Sequence, residues 1–162
     1  IPSKRVADGI RAVSRLADAH LVVAGDGPLR DEIRQLAGEL LPGRFTLVSV
    51  AGHEMPQLYR SADVFLHLSK EESFGNVFIE AMACGLPIVG HDTPRLRWIV
   101  GEEEFLADTT DIEAVAKCLD EARCGSEALR KSRLVRSSDF SWTKVAAKYR
   151  SFFEEVIASQ AR

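Results

Sequence analysis

Apolar residues recur along the chain with two alternating periods. Val6, Ile10, Val13 and Leu16-Ala17 fall at helical spacing, which predicts an amphipathic helix over residues 4–18. The run His20-Leu-Val-Val-Ala24 ends at Gly25 and reads as a short buried strand. Pro28 then opens a helix with Leu29, Ile33, Leu36 and Leu40 inward, since proline at a first helical position forfeits no hydrogen bond. Strands follow at 45–51 and 63–68, separated by a short helix that turns Met55, Leu58 and Tyr59 inward. A polar loop at 69–73 leads into a helix over 75–84, closed by Gly85-Leu86-Pro87. Ile88-Val89 begins a fourth strand and 105–107 forms a fifth, after which helices run over 111–123, 126–137 and 142–158.

Strands alternating with helices predict an α/β fold, a doubly wound parallel sheet with helices on both faces. Ligands of such sheets bind beyond the carboxyl ends of the strands, near a switch in strand order. Three stretches stand at those ends: Gly25-Asp26-Gly27, Gly52-His53, and residues 69–75.

Composition narrows the classes. The 162 residues make one domain, and 46% hydrophobic and 28% charged residues are ordinary for a globular chain with a full core. A net charge of −3, with acids and bases intermixed, argues against a nucleic-acid partner. The basic cluster Arg130, Lys131, Arg133 and Arg136 reads as a solvated helix face. Cys84, Cys118 and Cys124 fit no zinc spacing and read as free thiols of a reducing, cytoplasmic compartment. No apolar run reaches membrane-spanning length. The start Ile1-Pro2-Ser3-Lys4-Arg5 has no apolar core of a signal peptide and reads like a loop within a longer chain.

Two segments could carry chemistry. Gly25-Asp26-Gly27-Pro28 follows a strand and permits either a tight turn or close backbone approach to a phosphate; it lacks the third glycine of a dinucleotide fingerprint. The segment from Ser69 to Pro87 is the stronger one. Its loop feeds a helix N-terminus at Gly75, where the amides of Gly75, Asn76 and Val77 point outward and the helix dipole favours a diphosphate. Glu72 precedes that helix, and Glu80 shares a face with Asn76 four residues earlier. One carboxylate could reach a sugar at the helix tip and the other the hydroxyls of a ribose beside it. The plainer alternatives are a helix-terminal acid at Glu72 and a surface acid at Glu80. The apolar neighbours Phe78, Ile79, Ala81, Met82 and Ala83 suggest instead a mostly buried helix whose carboxylate needs a partner.

Glu72-Ser-Phe-Gly-Asn-Val-Phe-Ile-Glu80 resembles the Glu-x7-Glu signature of retaining GT-B glycosyltransferases, and Ala81-Met-Ala-Cys-Gly-Leu-Pro-Ile-Val89 continues it as in family 4. Gly25-Asp-Gly-Pro28, Tyr59-Arg-Ser-Ala-Asp-Val64 and Phe140-Ser-Trp142 resemble further family segments in the right order. The resemblance implies one Rossmann-like half of a GT-B fold that binds a nucleoside-diphosphate sugar, with no bound metal and no other cofactor. It assigns Glu72 and Phe74 to the donor sugar, with Glu72 as the catalytic residue. It assigns Lys4, Gly75, Asn76 and Val77 to the diphosphate, Glu80 to the ribose, and Ala51, Gly52 and His53 to the nucleobase. Gly25 and Gly27 match the family's Gly-rich turn.

Two departures accompany the match. The family's first strand and its arginine, which precede the lysine matched by Lys4, are missing. Its Gly-Gly-x-x-Glu stretch is altered to Thr93-Pro-Arg-Leu-Arg-Trp-Ile-Val100. The resemblance implies an absent N-terminal acceptor domain of the same parent as partner, met by apolar residues of the last helix. Any peripheral membrane contact would come through that parent. Three other readings stay open on the residues: a glycosidase using Glu72 and Glu80, a nicotinamide-binding domain, and a non-catalytic sugar-nucleotide sensor.

Overall fold

The computed structural model describes residues 2–160. Five parallel strands form two sheets: β1 (Leu21–Ala24) pairs with β2 (Phe45–Val48), and β4 (Ile88–His91) lies between β3 (Phe65–His67) and β5 (Phe105–Ala107). The helices are α1 (Val6–Val13), α2 (Arg30–Leu40), α3 (Met55–Arg60), α4 (Asn76–Ala83), α5 (Pro94–Val100), α6 (Ile112–Ala122), α7 (Glu127–Ser138) and α8 (Trp142–Gln160). The expected α/β class with a parallel sheet is therefore present, and β4, apolar throughout its first three residues, is the buried strand of the larger sheet.

Two apolar clusters hold these layers. One joins Ile10 and Val13 of α1 to Ile33 and Ala37 of α2, Val89 of β4 and Val115 and Leu119 of α6. The other joins Tyr59, Phe78, Met82, Ile88, Leu96 and Ile99, and packs α4 and α5 against β4. At about 25 cal/mol per Å² of apolar surface, each of the Val, Leu, Ile, Phe and Met side chains contributes roughly 1.5–3 kcal/mol on burial.

Several elements differ from the sequence pattern. The first helix is only Val6–Val13, because Pro2–Lys4 form a 3-10 turn and Arg5 adopts a left-handed conformation (φ 52°) that breaks the helical path. Pro28 lies in the turn before α2, which starts at Arg30. The inward face of α2 passes through Ala37 to Leu41 rather than Leu40, which is exposed. Helix α5 adds an element that the apolar spacing does not mark; Thr93 caps it by accepting from the Leu96 amide and Pro94 occupies its first position.

The basic cluster on α7 is also corrected. Arg133 is 4% exposed, and its Nε donates to Glu104 at 2.6 Å, while the other Glu104 oxygen accepts the Ile88 amide at 2.8 Å. Arg136 donates to the carbonyls of Ile99 and Trp98. Helical spacing put both on one side of α7, and that side faces the protein. The three cysteines are free thiols. No described helix is long and apolar enough to cross a membrane.

Candidate functional site: a carboxylate and a lysine at an open helix N-terminus

The site is built where β3 ends and α4 begins. Gly75 sits at the helix N-cap with φ 84° and ψ 50°, a left-handed conformation that favours glycine. No side chain caps α4, unlike α5, α6 and α7, which are capped by Thr93, Asp111 and Ser126. The Phe78 amide is taken by the Gly75 carbonyl at 3.0 Å, and as first-turn residues Asn76 and Val77 have no carbonyl four positions back within the helix. Asn76 is exposed and Val77 half-buried. This terminus therefore keeps donors and a partial positive charge for an anion. A side chain at Gly75 would strike inward, since an added Cβ would lie 2.6 Å from the Phe78 ring and 3.4 Å from Glu72 Cγ.

Three side chains converge on Glu72 and its neighbour. Lys4 Nζ donates to both of its carboxylate oxygens, at 2.8 and 3.2 Å. His67 Nε2 lies 3.4 Å from Oε2. Arg95, from α5, donates to the main-chain carbonyls of Glu72 and Ser73 at 2.7 and 2.9 Å. Lys4 is placed by its neighbour: the Arg5 guanidinium binds Asp8, Thr109 Oγ1 and the Thr109 carbonyl. Those bonds offset the roughly 1–3 kcal/mol that a left-handed non-glycine residue costs. Ser69 also donates to the Ser3 carbonyl at 3.0 Å and ties the 3-10 turn to the loop after β3.

The remaining expected residues fall in separate places. Glu80 is exposed rather than buried in its helix, because α4 turns Phe78, Ala81 and Met82 inward and leaves Asn76 and Glu80 on the open side. Its partner is Tyr59, whose hydroxyl donates to it at 3.0 Å. Burial, and then Glu80, push the Tyr59 hydroxyl well above the ordinary tyrosine range, so it remains a donor. Phe74 lines a cleft of about 560 Å³ with Glu72, Ser73, His91 and Arg95, and packs edge-on to Phe140. Ala51, Gly52 and His53 form an exposed loop before α3, and the Ala51 amide is already taken by Glu54. Around Gly25 the turn is open, and the Gly27 amide donates to the Asp26 carboxylate at 2.7 Å. Among the described residues no group of three or more His, Cys, Asp or Glu side chains converges on a metal position.

Sequence reasoning missed Arg5, His67 and Arg95. The Thr93-Pro94 helix start, once recognised, would have placed Arg95 on α5 near the strand ends. The pair Arg5–Asp8 is visible at i,i+3, but nothing local signals the reach of Arg5 to Thr109 or the packing of His67 against Phe78.

The chain is similar to known proteins over nearly its whole length. It is 28% identical over 163 residues to N-acetyl-alpha-D-glucosaminyl L-malate synthase of Bacillus anthracis, covering 95% of this chain and 43% of that protein. It is 31% identical over 156 residues to phosphatidyl-myo-inositol mannosyltransferase of Mycolicibacterium smegmatis, covering 90% of this chain and 39% of that protein. The chain thus spans less than half the length of these relatives. Among solved structures, sucrose-phosphate synthase of Thermosynechococcus elongatus superposes with a TM-score of 0.83 at 27% identity, over 98% of this chain and 44% of that one. The pneumococcal O-GlcNAc transferase GtfA, solved with UDP and GlcNAc, shares the fold with a TM-score of 0.77 at 21% identity, over 97% of this chain and 34% of that one. The sequence model described as glycosyl transferases group 1 matches residues 1–122, and the chain belongs to that family.

Proposed function

We propose that this chain is the donor-binding domain of a retaining GT-B glycosyltransferase of family 4, which transfers a sugar from a nucleoside-diphosphate sugar to an acceptor held by a second, N-terminal domain. The observation that carries the reading is the uncapped N-terminus of α4, with Glu72 and Lys4 paired beside it. On arrival of the diphosphate, Lys4 would exchange Glu72 for the phosphate oxygens, and the Asn76 and Val77 amides would complete the anion site. The leaving diphosphate would then be neutralised by a fixed dipole and a cation, the electrostatic role a metal fills elsewhere. Glu72, released from Lys4, would accept from sugar hydroxyls. Glu80, supported by Tyr59, would accept from the ribose.

The sheet supports the domain reading. Among the described residues β1 and β3 each have one unpaired edge, and α1 packs beside both: it contacts β1, and Gly9 of α1 lies beside Leu66 and Leu68. A further parallel strand ahead of α1 would fill that place. On α8, Trp142, Tyr149, Phe152 and Phe153 are 56–87% exposed, which fits a face that meets the second domain.

Thermal denaturation with UDP-, GDP- and ADP-sugars tests the reading. A ligand at 100 times its Kd adds about 2.7 kcal/mol of stability. The chain is expected to be stabilised by one of the three and to transfer no sugar by itself. Indifference to all three sinks the donor-binding role, and measurable transfer by the purified chain sinks the two-domain requirement.

A further inference from the structure

His67 is the last residue of β3, and its side chain is only 13% exposed. The ring is wedged between aromatic neighbours, with the Phe78 centroid at 4.9 Å and the Phe65 centroid at 6.2 Å. One nitrogen, Nε2, faces Glu72 Oε2 at 3.4 Å. The other, Nδ1, is buried and has no hydrogen-bond partner among the described residues. Burial, and then the Lys4 charge, hold the imidazole below its ordinary pKa against the opposing pull of Glu72, so it is neutral near pH 7. A neutral imidazole carries one N–H. A carboxylate can only accept, so the proton belongs on Nε2, the nitrogen within reach of Glu72; on Nδ1 it would leave a lone pair facing the carboxylate.

A polar ring buried among aromatics with one nitrogen unsatisfied is disfavoured for packing alone, because an apolar side chain of similar size would avoid that desolvation. The contact to Glu72 is what the ring supplies. The other side-chain donor on Glu72 is Lys4, exposed at the mouth of the site, and the donor reading above requires Lys4 to leave for the diphosphate. Arg95 restrains only the main chain of Glu72 and leaves its carboxylate free to rotate.

We infer that His67 is a positioning residue: once Lys4 has moved to the diphosphate, the Glu72 carboxylate closes the 3.4 Å gap to Nε2–H, which then keeps it aimed at the donor sugar. The inference rests on the proposed donor site. It places under Glu72 a donor that a diphosphate cannot draw away. Its effect therefore lies in the discrimination between a sugar nucleotide and the bare diphosphate, not in affinity for the diphosphate.

Calorimetry on the whole chain tests it with three ligand pairs: UDP-glucose and UDP, GDP-mannose and GDP, ADP-glucose and ADP. The pair that binds wild type most tightly is then measured on variants. Glutamine carries its amide nitrogen about where Nε2 lies, and asparagine stops short of Glu72. His67→Gln is expected to keep the affinity ratio within about twofold. His67→Asn and His67→Leu are expected to lower sugar-nucleotide affinity about tenfold, as Glu72→Gln does, with diphosphate affinity unchanged. The two polar variants keep the comparison usable if leucine fails to fold. Binding of none of the pairs, or an unchanged ratio in Glu72→Gln, overturns the donor reading and this inference with it. A ratio lost in Glu72→Gln but kept in His67→Asn overturns the inference alone.

Discussion

Two ion pairs occupy opposite ends of the parallel sheet and show what each end is for. Where β4 and β5 begin, Arg133 and Glu104 meet at 2.6 Å with side chains 3% and 5% exposed. Glu104 also accepts the Ile88 amide, so the pair pins α7 to the start of β4. Where β3 ends, Lys4 and Glu72 meet at 2.8 Å with side chains 43% and 25% exposed. A buried pair that loses one partner leaves a charge that nothing solvates, whereas a half-exposed one exchanges its partner for water or another ion at little cost. The lower end is therefore built to stay closed and the upper end to open. This matches the general rule that parallel sheets bind ligands beyond the carboxyl ends of their strands.

The largest expected effect that tests this contrast is at the buried pair. Glu104→Ala should destabilise the chain by about 3–5 kcal/mol, the cost of stranding a buried charge. Urea denaturation measures it, and a change below 1 kcal/mol would show that the lower pair is as exchangeable as the upper. Gly75→Ala comes next. It forces a side chain into a left-handed conformation, which costs about 1–3 kcal/mol, and drives its Cβ against Phe78. Calorimetry should find diphosphate binding lost, because the repacked turn moves the Asn76 and Val77 amides; wild-type affinity would place the anion elsewhere.

Glu80→Ala should leave the fold intact and weaken nucleoside-diphosphate binding by about 1.5–3 kcal/mol, the range for a hydrogen bond to a charged group. The same titration in Glu72→Ala should change little, since that carboxylate is assigned to the sugar. Lys4→Ala should alter stability by less than about 1 kcal/mol, as exposed pairs do, while modestly weakening diphosphate binding. A loss comparable to that of Glu104→Ala would erase the distinction between the two ends.

The smallest expected effect is in pH. His67 has its folded pKa lowered by burial, so the folded state resists its protonation. The unfolded state then binds the extra proton first, and stability held above the ordinary pKa of about 6.5 is lost as pH falls below it. Denaturation of His67→Gln should lack that part of the acid slope, and an identical slope in both proteins would assign it to other groups.

Much of this protein is determined by local sequence. The alternation of strand-length apolar runs with helical spacing sets the parallel α/β class, because each element must bury one face against the others. The run from Glu72 to Glu80 defines a loop, a glycine and a helix start in consecutive residues, so its chemistry is legible without coordinates. Gly75 and Gly85 fall in left-handed positions, where a chain must enter and leave a helix.

What only the tertiary structure decided is contact across long separations. Lys4 reaches Glu72 from 68 residues away, Arg5 reaches Thr109 from 104, and Arg133 reaches Glu104 from 29. The local pattern reads Arg133 as part of a solvated basic face and Glu80 as a carboxylate within a mostly buried helix. Both reversed, because burial is set by which face of a helix meets the sheet, and an isolated helical pattern of mixed residues leaves that rotation open. His67 shows the limit most plainly. Its neighbours along β3 describe a strand, and its surroundings come from Glu72 in the loop that follows and from Phe78, which packs on it only after the chain has turned through Gly75 into α4.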